Sequence, residues 1–161
     1  QQCVIMKRTI TRPLSLDTEE AESLSAEEFI AQEQQGRFAL SWRANGLAYG
    51  IRADLNQHLH AGKTVLVNGS RAYWPQVVQR YPNAILVLVK VPVSLLRQRL
   101  MARGRESLPE IQLRLERSLA MEQTLERHAA LQNTEFWVVD NSGSLAEAVA
   151  QFQALLSEIW V

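Results

Sequence analysis

Three apolar runs constrain this chain most: "TVLV" from Thr64, "AILVLVKV" from Ala84 and "EFWVVD" from Glu135. All are rich in β-branched residues and too continuous for strands with one wet face, which points to a parallel sheet buried on both faces. "CVIMKR" at residues 3–8 is a weaker fourth candidate. Helical patterns lie between and after the runs. Three of them open with the spacing of a capping box: Ser25 with Glu28, Ser107 with Glu110, and Ser144 with Glu147. Strands alternating with helices predict an α/β fold, a parallel sheet flanked by helices.

At 161 residues and 47% apolar composition, one domain with its own core is expected. No stretch approaches 18 uninterrupted apolar residues, so no membrane span is expected. Lys and Arg balance Asp and Glu at 17 each, which argues against broad electrostatic capture of nucleic acid. The lone cysteine, Cys3, cannot form an internal disulfide, and no Cys/His group has zinc spacing. No secretory-leader pattern opens the sequence, and a reducing, cytoplasmic setting is expected.

Residues 12–50 break the strand–helix rhythm. An acidic loop (Asp17, Glu19, Glu20, Glu22), a short helix and the hairpin "ALSWRANGLAYGI" follow one another with no buried strand evident. The hairpin turns on Asn45-Gly46, a pair that accepts positive φ at both positions. This segment reads as an inserted lobe, and its aromatic tip raises the question of a small ligand.

Three places carry candidate chemistry. "AGKT" at residues 61–64 has the ending of a Walker A loop, but Gln57 stands where the first glycine belongs. The order is also reversed, since Gly62 closes a helical pattern and Thr64 enters a strand, so a helix C-cap is expected. "VNGSRAYWP" at residues 67–75 follows a strand, at the end where parallel sheets bind ligands. Asn68, Gly69, Ser70 and Arg71 offer amide, backbone, hydroxyl and guanidinium groups there; an ordinary connection with Ser70 as N-cap would use the same residues. The third is "LLRQRLMARGRESLPEIQLRLER". Arg99 and Arg103 share a helix face, Gly104 ends that helix, and Arg114 and Arg117 follow on the next. Such a helix–loop–helix can neutralise charge in phosphoryl transfer, or it can be a solvated face paired with Glu106, Glu110 and Glu116.

Taken in order, "TRP", "EEF", the "W…G..YG" hairpin, a strand ending near Asn68, "RL..RGR" with a later arginine, and "VVDN" resemble the guanylate-kinase-like branch of the P-loop kinases over essentially the whole chain. Within it, "TITRP", "ALSW.ANGL.YG" and "VLVNGSRA" are most similar to the phosphokinases that act on ribose 1,5-bisphosphate in phosphonate breakdown. The resemblance implies ATP and Mg2+ and a small-molecule acceptor, with a homodimer the state to test for. It implies catalytic lid roles for Arg99, Arg103 and Arg114, acceptor contacts from Arg12, Tyr49, Asn68, Gly69, Ser70 and Arg71, and nucleotide contacts from Arg103, Asp140 and Asn141. The lid is expected over residues 97–117.

Departures from the guanylate-kinase pattern sharpen the acceptor. Guanylate kinases read the guanine edge with a Glu in the first hairpin arm and a Ser or Thr after Tyr-Gly; here Ser41 and Ile51 stand at those places. Ser15 and Ala21 replace an arginine and a tyrosine that hold a nucleotide phosphate, and Asn68 and Ser70 replace acidic residues that would repel a more anionic acceptor. A guanylate or other nucleoside-monophosphate kinase is the alternative enzyme, and a non-catalytic interaction module the alternative of another class. The branch also begins with a strand, a G-x-x-x-x-G-K-[ST] loop and a helix, which these residues lack. The resemblance therefore implies a reading frame continuing upstream for about 30 residues.

Overall fold

A computed structural model describes residues 3–13, 20–132 and 136–160. Ser15, Asp17, Glu19 and Glu135 lie outside the described residues. Two units divide the chain, Gln1–Tyr73 and Trp74–Val161.

In the first unit, strand β1 (Cys3–Ile5) is followed by β2 (Arg8–Ile10), β3 (Ala21–Ser23), helix α1 (Ala26–Gln34), β4 (Phe38–Ala44), β5 (Leu47–Arg52), α2 (Leu55–His60) and β6 (Thr64–Leu66). β1 and β6 run parallel, Cys3 opposite Thr64. The remaining strands form a four-stranded sheet ordered β3-β2-β5-β4, parallel only between β2 and β3. The run at residues 3–8 is thus not one strand. Its apolar part ends at buried Met6, whose N–H donates to Leu66 O at 3.0 Å, and after Lys7 the chain enters the other sheet.

The hairpin forms as its turn pair requires, with φ 53° at Asn45 and 73° at Gly46. The expectation of no buried strand in residues 12–50 is corrected: Phe38, Ala39, Leu40 and Trp42 on β4, and Ala48, Tyr49 and Ile51 on β5, are buried. A register shift between Phe38 and Leu40 breaks the alternation of β4, so the hairpin's first arm shows in the sequence but its burial does not. α1 starts with the full Ser25–Glu28 capping box and lays Phe29 against Phe38, the rings stacked at 4.6 Å. Gly50 lies directly beneath Phe38; a Cβ there would come within 2.6 Å of the ring.

α2 ends as the "AGKT" reading requires. Gly62 has φ 69°, its N–H donates to Leu59 O at 3.0 Å and that of Lys63 to His58 O at 3.1 Å, a Schellman closure that spends these amides on the helix end.

The second unit contains α3 (Trp74–Arg80), β7 (Leu86–Lys90), α4 (Val93–Arg103), α5 (Leu108–Gln132), β8 (Phe136–Asp140) and α6 (Leu145–Glu158). β7 and β8 pair in parallel, Leu86 opposite Phe136. Trp74, Leu86, Leu88 and Leu125 form one cluster; Leu100, Ile111 and Leu115, with Leu96, join α4 to α5. Burial on both faces of the sheet is corrected: Val89 is 62% and Val138 45% exposed. Each strand buries alternate residues, so its apolar continuity does not report two covered faces. No described helix is long and apolar enough to cross a membrane.

Candidate functional site

On the first unit, the register sets which side chains share a face. Arg8 is opposite Ile51, Ile10 opposite Tyr49, and Trp42 opposite Tyr49. Tyr49 and Trp42 stack with centroids 5.6 Å apart and planes 6° from parallel. Tyr73 stacks on Trp42 at 5.6 Å, and the Arg8 guanidinium carbon lies 5.1 Å from the Tyr49 centroid. Tyr73 closes a 3-10 turn, Arg71–Tyr73, in which its N–H donates to Ser70 O at 3.0 Å. The aromatic ladder therefore ties the hairpin to the turn that carries Asn68, Gly69, Ser70 and Arg71. Asn68, Gly69 and Arg71 are exposed and Ser70 half-buried.

Arg12 follows the end of β2. Thr11 before it is pinned to β5, its N–H donating to Ala48 O at 3.1 Å and its Oγ1 accepting from Ala48 N–H at 2.9 Å. Ser23 Oγ donates to Arg12 O at 2.6 Å. The backbone of Thr11 is thus held opposite Ala48, and Arg12 follows one step farther along, away from Tyr49, which stands opposite Ile10. Tyr49 is buried in the ladder rather than standing out into solvent.

The two positions where guanine would be read are closed to it. Ile51 is fully buried. Ser41 Oγ donates to Glu33 Oε1 at 2.6 Å, and the same carboxylate takes two bonds from Arg43, at 3.1 and 2.7 Å. The Arg43 bonds hold the Glu33 carboxyl below its ordinary range, against the opposing effect of burial, and Ser41 adds to them. A base edge meeting Ile51 would lose a hydrogen bond, at about 1–3 kcal/mol per unpaired group.

On the second unit, Arg99 and Arg103 lie on α4, which ends at left-handed Gly104 with φ 61°. Arg99 Nη2 reaches Gly143 O at 3.5 Å, the outer edge of hydrogen-bond length, in the loop that follows Asp140 and Asn141. The lid base and the expected nucleotide-binding residues therefore meet. Asn141 N–H donates to Lys90 O at 2.7 Å, and Ser142 N–H to Asp140 Oδ1 at 2.8 Å; the Ser142 side chain first, and this N–H second, lower the Asp140 carboxyl. An open hollow of about 430 Å³ is lined there by Asp140, Ser142, Gly143, Glu147, Ala150 and Gln151. Arg103 is exposed. Arg114 pairs with Glu106 at 2.8 Å, as the solvated-face alternative anticipated, and Arg117 Nε donates to Leu113 O at 3.3 Å. The larger cleft between α4 and α5, about 550 Å³, is lined by Arg97, Met101 and Glu116 among others and includes none of the three lid arginines.

Sequence reasoning missed Arg8, Tyr73, the Glu33–Arg43 pair, and Lys90, whose ammonium bonds Glu126 and Glu122 on α5 and is raised by them. Only Arg8 left a readable signal, since it stands four residues before Arg12 in a strand-forming stretch. Donor-side groups do not fit what is present. Among the described residues no three His, Cys, Asp or Glu side chains gather to hold a metal ion, and the one Gly-Lys-Thr is a helix cap.

No protein-family model matches the chain. Curated relatives do. Ribose 1,5-bisphosphate phosphokinase PhnN of Pseudomonas fluorescens (strain SBW25) is 44% identical over 154 residues, 96% of this chain and 80% of the relative. The proteins of the same name from Pseudomonas paraeruginosa (44%, 96% and 80%) and Yersinia pestis (40% over 158 residues, 98% and 78%) match similarly. Among solved structures, the guanylate kinase from Anaplasma phagocytophilum superposes with a TM-score of 0.65, covering 97% of this chain and 76% of its own. At 16% identity it shows a shared fold and nothing finer.

Proposed function

Because this chain belongs to the ribose 1,5-bisphosphate phosphokinase family, we propose that its acceptor site is the aromatic ladder with Arg12, Tyr49 and the turn at residues 68–71. The reaction transfers the terminal phosphoryl group of ATP to the 1-phosphate of ribose 1,5-bisphosphate, giving 5-phosphoribosyl 1-diphosphate and ADP. Mg2+ accompanies the nucleotide, and the setting is the cytoplasm, where a free Cys3 stays reduced.

The residue roles follow from charge. Arg12 and the turn at residues 68–71 hold the accepting phosphate with a guanidinium, an amide, a hydroxyl and a backbone N–H. Arg103 and Arg114 stabilise charge on the transferred group, and Arg99 supports the lid from its contact with Gly143. Arg114 must first leave Glu106, an exposed pair whose breaking costs about 1 kcal/mol or less. No step is assigned to a phosphate loop or metal ligands, since the described residues supply neither.

One observation carries the acceptor assignment beyond kinship. Ser41 is bonded to Glu33 and Ile51 is buried, so neither position can read a base. The test is phosphorus NMR of protein expressed from the whole reading frame, incubated with ATP, Mg2+ and ribose 1,5-bisphosphate. Loss of the sugar 1-phosphate signal and growth of a sugar diphosphate pair is expected; formation of ADP and free phosphate alone would refute transfer to the acceptor.

A further inference from the structure

We propose that Arg8 binds the second, non-accepting phosphate of the acceptor, so that the bisphosphate is gripped at both ends; the proposal rests on the acceptor reading above. A sugar bisphosphate presents two highly charged ends. Arg12 and the turn at residues 68–71 account for one of them.

Arg8 has the position, chemistry and surroundings for the other. Its register partner is Ile51, so it projects from the sheet face that carries Tyr49 and Trp42. Its guanidinium carbon lies 5.1 Å from the centre of the Tyr49 ring, and the side chain is half-buried, where solvent screens a charge less than at an exposed site. A guanidinium carries five N–H donors in a planar fork, a geometry that suits phosphate while the ring supports it. Arg8 opens strand β2, and Thr11 and Arg12 follow its end in a bend, so four steps of chain set an upper limit of about 13 Å between the two at ~3.3 Å per residue. Two arginines within that span have the reach to bracket a pentose with a phosphate at each end.

The face also explains why a cation stands there. Ile51 offers no polar group to a base, and directly across the strand pair from it is a charged donor set. A phosphate matches the Arg8 guanidinium in charge and a neutral base does not.

The test is calorimetric titration of protein expressed from the whole reading frame, in the absence of ATP, with ribose 1,5-bisphosphate and with ribose 1-phosphate, which lacks the distal phosphate. Wild type should prefer the bisphosphate. Arg8→Gln should cut that preference by about tenfold or more, while changing the affinity for ribose 1-phosphate by less than about threefold. Arg8→Met, which keeps an apolar stem on Tyr49, should do the same and carries the test if the Gln variant does not fold; Arg8→Lys should retain part of the preference. A folded Gln or Met variant with the wild-type preference overturns the proposal and leaves the acceptor reading standing. A wild-type chain with no preference for the bisphosphate overturns the acceptor reading and the proposal together.

Discussion

Arg103 and Arg114 stand on exposed helix surface, and neither contributes to the cluster that joins α4 to α5. Replacing either with Ala in the active enzyme should lower kcat by about 10²-fold or more. The unfolding free energy should change by under about 1 kcal/mol, since Arg114 loses only a surface pair. Arg117→Ala should have far less effect on turnover, its guanidinium being engaged with the Leu113 carbonyl of its own helix. Steady-state kinetics beside urea denaturation checks all three, and equal losses of kcat would mean that the wrong helix face has been taken for the catalytic one. At this scale the sequence was legible where a residue's work is local. Gly62, Gly104 and the Asn45-Gly46 pair fold as their backbone freedom requires. Ser41 was read as a missing guanine contact, but its bond to Glu33 depends on a helix eight residues away docking on the hairpin, which no local pattern announces.

Gly50 shows how one element constrains another. Its absent side chain lets Phe38 lie flat between the sheet and Phe29 of α1, and any Cβ would meet that ring at 2.6 Å. Gly50→Ala should destabilise the protein by about 1–3 kcal/mol through overpacking; an unchanged denaturation midpoint would show that Phe38 yields freely. Two arginines of the same sheet each lower a carboxylate below its ordinary range: Arg43 is the chief cause for Glu33 of α1, and Arg52 for Glu22 of β3. A carboxyl whose folded pKa is depressed contributes stability above its unfolded value and loses it as pH falls through the folded one. Thermal midpoints should hold steady above about pH 5 and fall as the solution is acidified further. Glu33→Gln should reduce that acid-side slope. A slope unchanged in Glu33→Gln would show that Glu33 does not contribute to it. Among the elements, β7 and β8 were readable from their apolar runs and the β4–β5 hairpin from its turn, whereas the burial of β4 was obscured by the register shift after Phe38. Strand β3 was hidden: its Ala21-Glu22-Ser23 has no apolar alternation and is held by pairing with β2 and by the Glu22–Arg52 bridge.

For the molecule as a whole, fold and function rest on different supports. A guanylate kinase shares the fold at 16% identity, while phosphokinases that share 40–44% of the residues act, by their name, on ribose 1,5-bisphosphate. A common scaffold with different acceptors requires the difference to lie in a few side chains, and we propose that in this chain these are Ser41, bonded to Glu33, the buried Ile51 and, across from it, Arg8. The most direct measurement of that claim is the ratio of kcat/KM for ribose 1,5-bisphosphate to that for GMP, followed by ATP consumption with protein expressed from the whole reading frame. The account predicts a ratio of at least about 10² in favour of the sugar, because a site without groups for the guanine edge leaves those hydrogen bonds unmade; comparable turnover of GMP would contradict it.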